Sequence, residues 1–448
     1  MLETINRFIW GGPTLLLILG AGAYIALCTG FIQLRWLPKA LRCFLSKNDS
    51  GAIDGASSSQ AMWTALAATV GTGNLAGVAG AIAIGGPGAI FWMWISGILG
   101  MGLKFAEATL SVHYSAVNNK GERVAGPMYL IKKGLPHKLR WLASIYCLFG
   151  VLAAFGVGNA TQINTLVLSV DSVLRMVNIL PDHKTHILIG CICAILVAFV
   201  LVGGAKRIGR AAERLVPIAS ALYVVLAMGI LLLRADQLPA AFMAIFRGAF
   251  SPKAVTGGAV GSLFQTLRIG VSRGVFTNEA GMGTAGIAHG AAKVDHGVQQ
   301  GLMGVVEVFI DTIVICTMTA LVILCSGTDI PFGIEYGIGL TADAFCLIYG
   351  DWVQVILALC ICCFAFATIL GWGLYGVRCA QFLLGEKAWT PFVILQVGTV
   401  LLGAVLRNDV VWQFAEIVNG LMAIPNLIAI LYLTPTLRQL ISDYKQIY

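Results

Sequence analysis

Between Asp54 and Lys104 the chain carries no charged residue, and TVGTGN, residues 69–74, stands in the middle of that stretch. An apolar run of this kind is stable in lipid only as helix, because no water is there to pair the backbone N–H and C=O groups. It is far longer than the roughly 20 residues one crossing needs, and GGPG at 85–88 supplies a tight turn that divides it. Two glycines, two threonines and an asparagine in six residues unwind the helix they occupy. Each backbone group so freed costs several kcal/mol in hydrocarbon unless something polar meets it. The chain is therefore built around a membrane helix with a polar interruption.

Composition agrees. Of 448 residues 58% are hydrophobic and 11% charged, against about 25% charged in soluble domains, so the expected class is an all-α polytopic membrane protein. Long uncharged runs predict eleven transmembrane helices, at about 8–32, 57–84, 88–115, 141–170, 186–204, 209–233, 257–290, 298–326, 352–384, 388–406 and 410–434. The first is too long for a signal-peptide core and is read as a retained span. The twelve cysteines lie scattered in apolar segments without metal-ligand spacing and read as packing residues. The net charge of +8 reads as basic loops facing the cytoplasm. No basic segment interleaved with aromatics suggests a nucleic-acid partner.

With the N-terminus outside, nineteen Lys and Arg residues fall in inner loops and seven in outer ones. The positive-inside rule thus places the C-terminus in the cytoplasm of a plasma (inner) membrane protein. In this topology the second span starts inside and the seventh starts outside, and both have polar centres, TVGTGN and GVSRGVFTNEAGMG at 270–283. Each opens a block of five spans. Two blocks of opposite orientation, each beginning with a discontinuous helix, match the inverted repeats of secondary transporters. The expected organisation is residues 1–50 as an extra N-terminal helix and linker, 51–235 as the first five-helix repeat and 236–448 as the second.

A broken helix offers N–H donors at the start of its outgoing half, which suit a carboxylate. Its unwound carbonyls suit a hard cation. A zwitterionic amino acid with a co-transported cation fits both. Gly71 and Gly73 read more simply as helix-packing residues, but packing explains neither Asn74 nor a second polar break. The chain is not expected to be an enzyme, since it has no HExxH, GxSxG or paired His/Asp cluster. It has no Walker motif, and a channel would favour a continuous pore of repeated polar faces.

The stretches ALAATVGTGNLAGVAGAIAIGGPGAIFWMWISGILGMGLKFAE (65–107), RGVFTNEAGMGTA (273–285), FIDTIVICTMTALVIL (309–324), FAFATILGW (364–372) and NGLMAIPNLIAIL (419–431) closely resemble the alanine/glycine:cation symporter family. The resemblance runs in order over nearly the whole chain. It implies a leucine-transporter-type fold and import of small neutral amino acids such as alanine and glycine with sodium. It also implies alternating access around a midplane site, with no covalently bound cofactor and a monomer in the bilayer as the working unit. Carried over position by position, it puts the substrate at Thr72, Gly73, Asn74, Gln162, Phe276, Thr277 and Asn278, with Trp372 as an aromatic lid that limits side-chain size. It puts sodium at the carbonyls of Ala67, Val70 and Ala365 and the hydroxyl of Thr368.

The sequence departs from that pattern in two places. Ala367 stands where the family has a sodium-ligating hydroxyl, and Val377 where an acidic residue is usual. Proton coupling is therefore the alternative to sodium, with a channel more distant. Charges inside spans are functional candidates by default. Lys104 and Glu107, three apart on one span, read as a local ion pair snorkelling to the interface or as an inner gate. Arg273 and Glu279 flank the second break as gate partners or helix anchors. Glu307 and Asp311 share one helix face, for cation or proton binding or for buried hydrogen bonding. Histidines 113, 137, 183, 186, 289 and 296 all fall at span ends or in loops, and none is placed as a proton relay.

Overall fold

A computed structural model describes residues 9–10, 12–45, 57–119, 121–256, 262–334, 337–406 and 408–447. Arg7, Lys47, Lys120 and Arg407, used above to assign sides, lie outside the described residues, as do the first residue of the first expected span and residues 257–261 of the seventh.

Helices dominate. Among the described residues seven are long and apolar enough to cross a membrane, or up to nine if two bent pairs each count as one span. Eleven were expected, and the difference has a physical origin. The first expected span is present as α1 (Pro13–Thr29), only 17 residues long. The seventh is split into α12 (Leu263–Asn278) and α13 (Thr284–His289), and α12 carries Arg268 and Arg273.

Between α1 and the first break lies α2 (Leu37–Leu45). The interrupted helix then runs as α3 (Ser58–Thr69), a π-helical turn (Gly73–Gly77) and α4 (Val78–Gly85). Ser57 caps α3, its hydroxyl accepting the Gln60 N–H. The two halves of the interrupted helix meet at 50°. Gly86, at φ +73°, makes the expected turn into α5 (Ala89–His113). A two-residue hairpin, β1 (Ala116–Val117) against β2 (Arg123–Val124), leads to α6 (Pro127–Gly134).

The next crossing is α7 (Leu142–Phe155), a π turn (Gly156–Ala160) and α8 (Thr161–Met176). Asp182 and Thr185 cap α9 (His183–Val202) reciprocally. The Thr185 N–H holds the Asp182 carboxyl below its ordinary range. Then come α10 (Gly204–Leu233), α11 (Leu238–Phe250) and the second interrupted pair. The following crossing is α14 (Gly297–Val308), a π stretch (Phe309–Cys316) and α15 (Thr317–Ser326). The chain ends with α16 (Ile338–Tyr349), α17 (Val353–Leu384), α18 (Trp389–Val405), α19 (Asn408–Tyr432) and α20 (Thr434–Ile447).

The interrupted helices sit at the centre of the packing. Helix α3 lies against α10, α13 and α17, and α5 runs along α12 and α14. The break residues Val70, Thr72 and Asn74 are almost wholly buried. A polar break with no water around it must find its partners inside the protein.

Candidate substrate and cation site

At the first break the helical ladder stops at Val70, whose N–H still donates to Leu66 O. The Gly71 N–H, which would continue the ladder by donating to Ala67, donates instead to Asn74 Oδ1 at 2.9 Å. This leaves the Ala67 and Val70 carbonyls without an N–H partner among the described residues. On the other side of the break, no acceptor among the described residues takes the N–H groups of Thr72 and Gly73. Two open donors beginning an outgoing half-helix make a seat for an anion.

Four expected residues gather around that seat. The Thr72 hydroxyl donates to Gln162 Oε1 at 3.0 Å, and Gln162 Nε2 donates to Val157 O at 3.1 Å across the π turn before α8. A Cβ on Gly73 would lie 3.2 Å from Thr277 Cγ2 and 3.7 Å from Phe276 Cδ1, so the missing side chain lets the two interrupted helices meet. Asn74 turns away from this face. Its amide donates to Asp311 Oδ1 at 2.7 Å and to Asp311 O at 3.2 Å. Asn278 is likewise engaged, donating to Thr312 Oγ1 and accepting the Ala280 N–H.

Thr368 stands against Gly71, the residue that follows Val70. A Cβ on Gly71 would come 2.7 Å from Thr368 Oγ1, and that hydroxyl is buried with no hydrogen-bond partner among the described residues. Ala365 and Ala367 lie buried on the same helix, α17. Two released carbonyls and a hydroxyl without a protein partner among the described residues form an oxygen set that suits a dehydrated monovalent cation.

The second break is held differently. Glu279, Gly281 and Gly283 all adopt positive φ, at 54°, 89° and 80°, a conformation that side chains other than glycine rarely take. Glu107 Oε1 accepts the N–H groups of Gly281 and Gly283 at 2.9 and 3.0 Å and the Asn426 amide at 2.8 Å. The Glu279 carboxylate accepts from Trp372 Nε1 and Thr284 Oγ1, both at 2.7 Å. Trp372 is fully buried between this carboxylate and the π turn of Gly158, where a Cβ would collide with its ring.

Several expectations about charge change here. Lys104 and Glu107 do not pair, and neither snorkels. Lys104 Nζ reaches Glu307 Oε1 at 2.8 Å while Glu107 is spent on the orphan amides of the second break. Helix packing puts a closer partner on α14 than the sequence neighbour on α5. Arg273 pairs with Glu416 at 3.0 Å, on α19. Glu307, at the end of α14, and Asp311, in the π stretch that follows, serve different partners. His289 does close a span end, but it is fully buried against Glu307.

Sequence reading missed the Asn74–Asp311 bond and Cys316, whose sulfur accepts from Asn74 at 3.4 Å. The signal available was a carboxylate in FIDTIVIC, an otherwise uncharged run. A cavity of about 490 Å³ opens beside the half-helices α3 and α13, away from the break residues themselves, lined by Gln60 and Thr64 of α3, Ile287 and Ala288 of α13, Glu122 and Arg378. Glu122 and Arg378 pair across its wall at 2.9 Å.

A model of the sodium:alanine symporter family matches residues 1–447. The chain is 40% identical to the sodium/alanine symporter AgcS of Methanococcus maripaludis, over 97% of this chain and 94% of that protein. It is 40% identical to an uncharacterized transporter of Haemophilus influenzae, over 100% of this chain and 96% of the relative. It is 35% identical to the probable sodium/glutamine symporter GlnT of Bacillus subtilis, over 98% and 89%. Among solved structures it superposes on MhsT in complex with L-phenylalanine with a TM-score of 0.62 at 16% identity, covering 84% of this chain and 89% of that one. This likeness identifies a leucine-transporter-type fold.

Proposed function

Because the chain belongs to the sodium:alanine symporter family, it is a multi-pass membrane transporter for an amino acid and a cation and not an enzyme, and we propose that it imports small neutral amino acids, alanine and glycine, with sodium. The observation that carries this reading is the first break. Open N–H donors at Thr72 and Gly73 face Gln162, Phe276 and Thr277 on one side, and released carbonyls at Ala67 and Val70 face Thr368 on the other. The substrate carboxylate sits on the N–H pair. Sodium sits among the Ala67, Val70 and Ala365 carbonyls and the Thr368 hydroxyl. Opposite charges placed a few ångströms apart favour each other's binding in a low-dielectric site, which is the physical basis of symport.

Trp372 closes the side-chain end, which favours alanine and glycine over the glutamine named for one relative. Asn74 and Asn278 act by fixing the two breaks. The chain spans the inner membrane eleven times, as one extra helix and two inverted five-helix repeats, 51–235 and 236–448, with the N-terminus outside. The 490 Å³ cavity is then the inner vestibule, and alternating access proceeds around the buried centre. It works as a monomer.

Uptake of labelled alanine into proteoliposomes, with and without an inward sodium gradient, tests this. Sodium-driven accumulation is expected, and equal uptake with and without the gradient overturns the coupling. A second reading, proton-driven uptake, is favoured by one observation: Asp311 bonds Asn74 directly at the first break. It predicts accumulation at zero sodium under a pH gradient.

A further inference from the structure

His289 closes the short half-helix α13 and is completely buried, although it stands outside the site above. Its Nε2 lies 2.8 Å from Glu307 Oε2, and the other Glu307 oxygen accepts from Lys104 Nζ at 2.8 Å. Its Nδ1 lies 2.7 Å from Gln300 Nε2. Gln300 in turn accepts the Ser58 hydroxyl at 2.7 Å and donates to Ser58 O at 3.3 Å. Ser58 is the first residue of α3, half-buried, and Gln60, Ala288 and Ala291 beside this chain of contacts line the inner cavity. An unbroken hydrogen-bonded line thus runs from Ser58, two residues before the cavity-lining Gln60, to a buried carboxylate.

We propose that His289, Glu307 and Gln300 form a proton-binding site, wired through Ser58 to the inner vestibule, whose occupancy loosens the inner end of the first interrupted helix. The inference rests on the transport reading for its consequence. With the amide as drawn, Gln300 donates to Nδ1, so the imidazole is neutral and Nε2–H donates to Glu307. A proton taken up from solvent at Nδ1 turns that nitrogen into a donor. The Gln300 amide then rotates to offer Oε1 to it and turns its NH₂ toward the Ser58 hydroxyl. The same rotation sets Oε1 opposite Ser58 O, replacing a hydrogen bond with two facing acceptors. One bond changes: an N–H bond forms at Nδ1 as a solvent hydronium gives up its proton, and it breaks again when the proton returns to solvent.

Charged side chains stand on most of the elements packed around His289. Helix α5 presents Lys104 and Glu107, the second break presents Glu279, and α14 with its π stretch presents Glu307 and Asp311. Helix α17 brings Arg378, paired with Glu122, and α6 brings Lys132 and Lys133, while α3 brings no charge. Imidazole is the side chain that ordinarily exchanges its proton between about pH 5 and 8.

The test uses right-side-out membrane vesicles carrying the full chain, at fixed external pH, sodium and membrane potential, with the internal pH stepped from 8 to 6. Initial alanine uptake is expected to rise at least about threefold on internal acidification. Ser58→Ala and His289→Gln are expected to flatten that response with the half-saturating alanine concentration unchanged. Proton symport through Asp311 predicts the opposite sign, slower uptake as the interior acidifies, and overturns the proposal. So does a flat wild-type response, or a wild-type response in both variants. If His289→Gln does not fold, Ser58→Ala, at a partly exposed helix start, carries the test alone. If wild-type vesicles take up no alanine, the transport reading fails. The proton site is then judged on the purified chain. Thermal unfolding whose pH dependence differs between wild type and Ser58→Ala supports it, and parallel curves overturn it.

Discussion

Thr368→Val is the sharpest perturbation of the cation site, because the structure gives it two effects of opposite sign. Valine has the shape of threonine without the hydroxyl. The Thr368 hydroxyl is buried and bonds nothing among the described residues, and such a group costs about 1–3 kcal/mol. Removing it should therefore raise the stability of the sodium-free protein by that amount. The same hydroxyl is the only side-chain oxygen in the proposed sodium shell. An interaction with a charged partner contributes about 1.5–3 kcal/mol, so its loss should weaken sodium binding roughly 10- to 100-fold.

Thermal unfolding of the detergent-purified protein across a sodium series, with potassium or choline holding ionic strength, reads both effects. Stabilisation by a ligand follows RT ln(1 + [L]/Kd). The valine variant should start higher than wild type at zero sodium and begin to climb only at about 10- to 100-fold more sodium. A variant that starts lower would mean that the hydroxyl serves the protein's own structure. Identical titrations for the two proteins would remove Thr368 from the cation site.

Ala367→Ser restores the hydroxyl that the resemblance leads one to expect, and should lower the half-saturating sodium concentration in alanine uptake; no change would mean that position 367 does not face the ion. Gly73→Leu should abolish uptake while the protein still inserts, since even a Cβ there lies 3.2 Å from Thr277; retained uptake would move the substrate elsewhere. Lys104→Met leaves Glu307 as an uncompensated buried charge and should destabilise the protein by about 3–5 kcal/mol, much of it recovered by adding Glu307→Gln. Equal unfolding midpoints for the single and double variants would refute that account. Trp372→Ala should admit leucine in competition assays, a change of about 1–3 kcal/mol in pocket discrimination, whereas Trp372→Phe keeps the roof and should not. An unchanged profile in Trp372→Ala would assign size selection to another residue.

What the sequence disclosed and what it withheld divide along a physical line. TVGTGN and its counterpart near Glu279 were legible because a helix break is a local event: glycine, threonine and asparagine disturb the chain where they stand, and the uncharged flanks leave no other reading. The charge pairings were not legible. Lys104 sits three residues from Glu107, and sequence proximity argued for that pair, yet the bond it makes spans 203 residues and the Asn74–Asp311 bond spans 237. Which partner a buried charge finds depends on which helices pack and at what height, and no spacing rule carries that information. The burial of His289 was not legible for the same reason: it closes a span end as expected, but the end of a short half-helix need not lie at the surface when its crossing is broken. The long-range bonds also have a common pattern. Glu107 holds the amides of the second break, Asp311 holds Asn74 of the first, and Gln300 holds Ser58 at the start of α3. In each case a residue of an unbroken crossing, α5 or α14 with its π stretch, grips a residue of an interrupted one. If the interrupted helices are the elements that move in transport, these three grips are the contacts that must loosen or persist as the centre opens. Charge at membrane depth in this chain then serves to anchor the breaks, while the uncharged first break is left to meet the cargo.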